Sequence, residues 1–514
     1  MADSARFGIV DMGSNAVRFF IAEANAGAIA ILESHRAPMR LGREVFQTGQ
    51  IADATLADTV DAFRRFRASC DRLGVLHIRA IATSAMRDAQ NRDLLVDRVR
   101  DACGIEIEVI TGTQEAYLLK LGVEAHVDLR SGNSLLVDVG GGSVEVVLVE
   151  AGQVTNADSY RLGALRMLES LRDTESSGES FVELLTKHMK SLERRIVDRF
   201  EKTRIERCIA VGGNVESLSD LSAARAGGRR PEGVETMSLA DLRREIDDLA
   251  SIAVADRIDK RGLKPDRADT IVPAGIVYAR LAELAGVDRI FIPRVGIKDG
   301  LLQEVVQGHF GSFAAEDHVD VVLSSCRAMG RRWHYESDHA ESVLVLARQL
   351  FDQLTELHGL GGRARVLLEA AALLHDVGVA VNNDSHHKHS QYLIQSSELV
   401  GLADEERLIV ALLARYHRRG PPMRDHEEFM GLRRRDRSLL ERLAAILRLA
   451  DALDRQHAGV VRGVSVKIRE DHVELRPILA GDQHTRLTLE AKAVAEKGMM
   501  FTQLFGRPPR LVLP

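Results

Sequence analysis

Two stretches of the chain carry the same order of apolar and polar positions. Gly8 to Ala24 (GIVDMGSNAVRFFIAEA) and Leu135 to Ala151 (LLVDVGGGSVEVVLVEA) align without a gap, placing Asp11 on Asp138, Gly13 on Gly140, Asn15 on Gly142 and Arg18 on Glu145. Each copy is an apolar strand, an acidic residue, a run of small residues and a second apolar strand, which predicts a β-hairpin with a tight tip. The echo continues downstream. Arg79 to Asn91 (RAIATSAMRDAQN) and Cys208 to Leu221 (CIAVGGNVESLSDL) each predict a strand that ends in small residues and leads into a helix. Between hairpin and late strand each half carries an amphipathic helix, with Val60, Phe63, Phe66, Cys70 and Leu73 at helical spacing in the first and Leu184, Leu185, His188, Leu192 and Ile196 in the second. Two duplicated α/β lobes facing a cleft account for this repetition economically.

After Gly308 the period changes. His339 to His358, Ala364 to His375, His389 to Leu399, Glu405 to Tyr416 and Leu439 to Leu453 all read as helices, and from Val460 onward the stretches VSVKIRED, HVELRPI and TRLTLEA alternate as strands do. The expected organisation is therefore a first lobe over 1–125, a second over 126–308, an all-α domain over 309–458 and a small, mainly β C-terminal domain over 459–514. Ala223 to Gly233 (AARAGGRRPEG) reads as a loop.

At 514 residues the chain is too long for one core. Its 45% hydrophobic and 28% charged content is that of soluble globular material. The apolar runs are strand-sized, so no membrane span is expected, and the first residues enter a strand without the basic and apolar regions of a secretory signal. Cys70, Cys103, Cys208 and Cys326 show no close pairing, and the first three sit in apolar patterns as buried thiols, which points to a reduced, cytoplasmic setting. A net charge of −6 speaks against nucleic acid as partner. A polyanionic substrate would require basic residues gathered locally against that global sign.

The hairpin tips carry the first candidate chemistry. Gly140, Gly141 and Gly142 can turn several backbone N–H groups into one concavity suited to phosphate oxygens, with the Ser143 hydroxyl beside them. Gly13, Ser14 and Asn15 supply a smaller nest. Each tip alone could be no more than a tight turn; two matched copies favour a binding role. Acidic residues so close to phosphate need a divalent cation between them, which makes Asp138 and Glu145 candidate magnesium contacts. Glu115, by residue type, is a first-turn helix glutamate facing the helix dipole.

The segments DMGSNAVR (Asp11 to Arg18), ATSAMRDAQNR (Ala82 to Arg92), ITGTQEA (Ile110 to Ala116), DVGGGSVE (Asp138 to Glu145) and VGGN (Val211 to Asn214) together resemble the exopolyphosphatase and guanosine pentaphosphate phosphohydrolase family of the actin/hexokinase-like superfamily. The resemblance extends over essentially the whole chain. It implies two ribonuclease-H-like lobes and assigns Glu115 as the base that orients water for attack on a terminal phosphorus, a role that in-line hydrolysis requires of some carboxylate. It places Arg18, Arg87, Gly213 and Asn214 at positions that contact the phosphate chain, where guanidinium groups suit bidentate binding. Lys298, in VGIKDGLL, stands where the family usually has arginine; Asn214 stands where threonine is common and Ala16 where serine is. Magnesium is the implied cofactor, with a monovalent cation as a further candidate, and a homodimer the implied assembly.

In the helical region His339, the pair His375 and Asp376, and Asp451 resemble the H…HD…D set of HD-type metal phosphohydrolases, a donor set able to hold a divalent metal. Such folds also persist as scaffolds without metal. Arg415, Arg418, Arg419 and the run Arg433 to Arg435 read either as a polyanion channel or as a solvated basic face.

The favoured reading is an exopolyphosphatase acting on inorganic polyphosphate. The same cleft could instead remove the terminal phosphate of guanosine pentaphosphate. A sensor that binds either ligand without turnover, and hydrolysis of a nucleotide at the HD-type site, are readings from other classes. A sugar kinase is disfavoured because the chain offers no sugar-binding segment.

Overall fold

A computed structural model of the chain describes residues 4–25, 28–171, 183–187, 189–190, 203–225, 227, 234–310, 315–397, 399, 401–480 and 487–512. It forms two compact units, Met1–Asp317 and His318–Pro514.

The first unit contains two sheets. In one, β1 (Ala5–Met12), β2 (Val17–Ala24), β3 (Ile29–Ala37), β4 (His77–Ala82) and β5 (Ile107–Val109) lie in the order β3-β2-β1-β4-β5. In the other, β6 (Asn133–Val139), β7 (Val144–Glu150), β8 (Gln153–Tyr160), β9 (Arg207–Val211), β10 (Glu235–Ser238) and β11 (Arg289–Ile292) lie in the order β10-β11-β9-β6-β7-β8. Read from its hairpin edge, the second sheet repeats the first strand for strand, with β10 added antiparallel at the far edge. In both, the hairpin is antiparallel and its first strand pairs parallel with the late strand, β1 with β4 and β6 with β9. The duplication legible in the hairpins thus extends through a whole lobe.

Burial explains why these segments choose these elements. Val60, Phe63, Phe66 and Cys70 form the buried stripe of helix Asp53–Leu73 beneath the first sheet. In the second lobe Leu185 and Met189 are buried, while His188, Leu192 and Ile196 of the expected helix lie outside the described residues. Of the expected loop from Ala223 to Gly233, the first three residues instead finish helix Gly213–Arg225, and most of the rest lies outside the described residues. The four cysteines are free, with Cys103 only half-buried.

In the second unit the expected helices appear as Ser337–Gln353 with Thr355–His358, Gly362–Leu374, His386–Gln395, Asp404–Tyr416 and Arg434–Leu453. The stretch after Val460 forms β12 (Val461–Ile468), β13 (Val473–Leu479) and β14 (Pro509–Leu511), with helices Thr488–Lys497 and Met499–Phe505 between the last two. The TLEA segment expected as a strand therefore opens a helix; over a longer window its buried Leu487, Glu490, Ala493 and Val494 have the spacing of a helical face. Val464, Leu475 and Phe501 share one apolar core with Leu346, Leu350 and Leu447 of the helices. No helix of the described residues is long and apolar enough to cross a membrane.

One buried side chain ties this fold to the site. Tyr278, on helix Ile271–Leu284, is 1% exposed. Its hydroxyl accepts from the Val139 N–H at 3.1 Å and donates to the Val211 carbonyl, joining the ends of β6 and β9. Removing the hydroxyl leaves two buried backbone groups without their partner. Tyr278→Phe is expected to lower stability by about 1–3 kcal/mol in urea unfolding; a change of a few tenths or less would show that the clamp contributes nothing.

Candidate active site

The two hairpins place their acidic residues by register. Asp11 lies opposite Arg18, and Asp138 opposite Glu145. Residues directly opposite in an antiparallel pair share a face, so unlike charges stabilise and like charges repel. The first lobe satisfies this internally: Arg18 Nη1 donates to Asp11 Oδ2 at 2.9 Å. The second lobe has two carboxylates at the same position. Burial raises Asp138 well above the usual carboxylate range, Glu145 pushes it further, and Arg18 opposes the shift. Burial raises Glu145 as well, against hydrogen bonds from Ser143 and Ser159 and the charge of Arg87; the Ser159 hydroxyl donates to Glu145 Oε1 at 2.9 Å. Two carboxylates at one register position are the kind of oxygen donors that a hard divalent cation takes.

The tips confront one another. A methyl group placed on Gly142 would come within 2.5 Å of Ser84 Oγ and 2.7 Å of Ser14 Oγ in the opposite lobe, so only glycine allows this approach. Each tip closes on its own first glycine, Gly13 N–H to the Ala16 carbonyl and Gly140 N–H to the Ser143 carbonyl. In the second tip the carbonyls are tied back: Gly140 accepts from Ala164 N–H, Gly141 from Leu165 and Arg166 N–H, and Gly142 from the Arg166 side chain. The amides of Gly141, Gly142 and Ser143 remain without a partner among the described residues.

Both tips open into one cavity of about 500 Å³. Glu115, Asp138, Glu145, Gly213 and Asn214 line it, together with the cations Arg18, Arg36, Lys264, Arg267, Arg294 and Lys298. Asp11 and Glu216 line it as well, so six cations stand against five carboxylates, and in an acidic chain the positive charge gathered here is only slightly in excess. Lys298 keeps its ammonium 2.7 Å from Asp299 and faces the Phe20 ring. Arg267 is held by the Gly213 carbonyl and the Ser217 hydroxyl, and Arg294 by Glu235 and Asp220. Asn214 lies beside Thr270, whose hydroxyl is 3.5 Å from Asn214 Oδ1.

Glu115 stands early in helix Gly112–Glu124, whose start is fixed by a capping box between Thr111 and Gln114. It is 3% exposed. Burial pushes its carboxyl well above the usual range, Glu145 adds to the push, and Arg87 opposes it. Arg87 pairs with Glu115 and donates to the Ile110 carbonyl at 2.8 Å. Arg87 is not among the cavity's lining residues; its partners are Glu115 and the Ile110 carbonyl.

Several residues here escaped sequence reasoning. Arg166 gives Nε to the Gly142 carbonyl at 2.8 Å and Nη2 to Ser84 Oγ at 3.2 Å, pairs with Asp88, and stacks 3.8 Å above the Phe46 ring. It thereby pins the second tip to the first lobe. Asn15 Nδ2 reaches across to the Asp266 carbonyl at 2.8 Å, and Arg36 and Arg40 pair with Asp266 and Asp269. The available signal was KPDR (Lys264 to Arg267), two cations around a proline that starts a short helix.

In the second unit the HD-type residues also converge. His339 Nε2 lies 3.2 Å from His375 Nε2 and 4.0 Å from Asp451 Oδ1, and His375 Nε2 lies 3.7 Å from Asp376 Oδ2.

Comparison with known proteins agrees with this geometry. Residues 20–309 match the Ppx/GppA phosphatase family, and residues 321–500 match domain III of Ppx/GppA phosphatases. The chain is 24% identical over 417 residues to the guanosine-5'-triphosphate,3'-diphosphate pyrophosphatase of Photobacterium profundum, covering 81% of each chain. It is 24% identical over 518 residues, the whole of both chains, to the protein of that name from Aeromonas hydrophila. Among solved structures, an exopolyphosphatase from Cytophaga hutchinsonii superposes with a TM-score of 0.55 at 23% identity, covering 59% of this chain and 98% of the other, a likeness of fold. With two duplicated actin-like lobes facing a cleft and a C-terminal helical domain carrying a small sheet, the chain belongs to the Ppx/GppA phosphatase family, a family of phosphoanhydride hydrolases.

Proposed function

We propose that the cleft hydrolyses the terminal phosphate of inorganic polyphosphate, with magnesium held by Asp138 and Glu145. The observation that carries this reading is the cavity itself. It combines five carboxylates, Glu115 buried among them, with two amide-bearing tips and six cations, and no aromatic ring lines it among the described residues. A repeating polyanion needs only charge and N–H donors, whereas a guanine base gains from a stacking surface.

The residues divide the work as follows. The free amides of the second tip receive the oxygens of the terminal phosphate, while the Ser143 hydroxyl stays with Glu145. Lys264, Lys298, Arg36 and Arg267 hold the following units of the chain. Glu115 orients a water and takes its proton as the water oxygen bonds to phosphorus, while the bridging oxygen leaves with the shortened chain. Arg87 fixes the Glu115 carboxylate toward the cavity. Magnesium held by Asp138 and Glu145 would neutralise charge on the transferred group.

Guanosine pentaphosphate is the alternative substrate for the same machinery. It is favoured by the names of the relatives matched along the full chain. Phosphate release measured on the two substrates at equal concentration is expected to be faster with polyphosphate; a preference for guanosine pentaphosphate would move the chain to the alternative.

Glu115→Gln is expected to lower kcat by about 10²–10⁴-fold with KM little changed. Retained turnover would remove Glu115 from the chemistry and leave the cleft as a binding site.

Glu145→Gln removes the like-charge opposition at the second hairpin. The metal-free variant is expected to be more stable than the parent by on the order of 1 kcal/mol, while half-maximal activity shifts to higher magnesium concentration. Lower stability together with an unchanged magnesium dependence would overturn the assignment of this pair as the cation site.

A further inference from the structure

The glycine tip of the second lobe is held by the segment that follows β8. Ala164 N–H donates to the Gly140 carbonyl at 2.9 Å, and the N–H groups of Leu165 and Arg166 donate to the Gly141 carbonyl at 2.9 and 3.0 Å. These are the first amides of helix Ala164–Leu171, which have no carbonyl partner within the helix itself. Gly163 lets the two segments come this close: a methyl group there would lie 2.3 Å from both the nitrogen and the carbonyl carbon of Gly142. The third carbonyl of the tip is held differently. Gly142 accepts from Nε of the Arg166 side chain at 2.8 Å, and it has no other partner among the described residues.

A carbonyl fixed in direction also fixes an amide. No peptide bond here is cis, and in a trans peptide the carbonyl and the N–H of the next residue point opposite ways. Tying back the carbonyls of Gly140, Gly141 and Gly142 therefore turns the N–H groups of Gly141, Gly142 and Ser143 away from the helix start and its arginine. Gly142 and Ser143 line the cavity and Arg166 does not, so the N–H side of their shared peptide is the side left to the cavity. The first two carbonyls are held by backbone amides, which almost any sequence supplies at a helix start. Gly142 has no side chain to restrict its own ψ, and its carbonyl depends on one guanidinium.

The opposite lobe sets the aim of that guanidinium. Arg166 Nη2 donates to Ser84 Oγ at 3.2 Å, the group pairs with Asp88, and its carbon lies 3.8 Å from the centre of the Phe46 ring. Ser84 and Asp88 belong to helix Ser84–Asp88, which also carries Arg87, the partner of Glu115. One short helix is thus linked both to the buried carboxylate and, through Arg166, to the glycine tip.

We infer that Arg166 is a positioning residue for hydrolysis: by holding the Gly142 carbonyl it aims the Ser143 N–H at the phosphoryl group being transferred. The inference rests on the reading of the cleft as the hydrolytic site, for either substrate. An amide that meets charge developing in the transition state acts on turnover more than on substrate binding.

The test is steady-state phosphate release by the full chain, with whichever of polyphosphate and guanosine pentaphosphate the parent cleaves. Arg166→Met is expected to lower kcat by about 10²–10³-fold, the loss typical of one such donor, with KM within about threefold of the parent. Asp88→Asn removes a partly exposed charge pair but leaves Nε on the carbonyl, and is expected to lose less than about tenfold. Equal losses in the two variants would reduce Arg166 to a strap between the lobes and overturn the inference. So would a loss carried by KM, or a kcat within about threefold of the parent. Should the methionine variant not fold, Arg166→Lys decides, because one ammonium cannot serve the carbonyl, Ser84 and Asp88 together. Its kcat is expected to fall at least about tenfold with KM unchanged, and a smaller fall overturns the inference. A parent that releases no phosphate would strike the reading of the cleft, and this inference with it; an active parent with unaffected variants strikes this inference alone.

Discussion

Two carboxylates facing each other across a buried hairpin are the constraint around which the catalytic unit is arranged. The same hairpin occurs twice in the chain, and the copies differ at one register position: Arg18 opposite Asp11 in the first lobe, Glu145 opposite Asp138 in the second. The first pair neutralises itself. The second accumulates negative charge in a place where burial already disfavours it, and Glu115 adds a third carboxylate to the same cavity. Such a site is stable in its charged form only with positive charge brought from elsewhere, and the cations and amides around it can be read as the response to that deficit.

The response comes from residues far apart in sequence. Arg166, Arg267 and Lys264 all reach the region from the second lobe, on segments that surround its glycine tip, while Arg36 and Arg40 reach across from the first. The second tip, Gly140 to Gly142, contributes backbone and no bulk. Because a side chain at Gly142 would collide with two serines of the opposite lobe, the residue that lets the lobes meet is also one that lines the cavity.

The parts of this arrangement visible in the sequence are those written into local repetition. The hairpins, the late strands and the helices that follow them could be read because the chain states them twice, and the amphipathic helices because Phe63, Phe66 and their neighbours recur at one period. What escaped was direction and long-range partnership. Arg87 was legible as a cation following a strand end, but its pairing with Glu115 is a long-range partnership that periodicity cannot reveal. Tyr278 looks like any core residue of an apolar helix until its hydroxyl is seen between Val139 and Val211. The C-terminal TLEA segment misled because strict alternation over a few residues is compatible with both a strand and the edge of a helix.

The contact between Gly142 and Ser14 has a mechanical consequence. A side chain at Gly142 would have to push Ser14 and Ser84 of the opposite lobe aside. A single methyl group there would act as a wedge between the lobes and alter the cavity that both tips line.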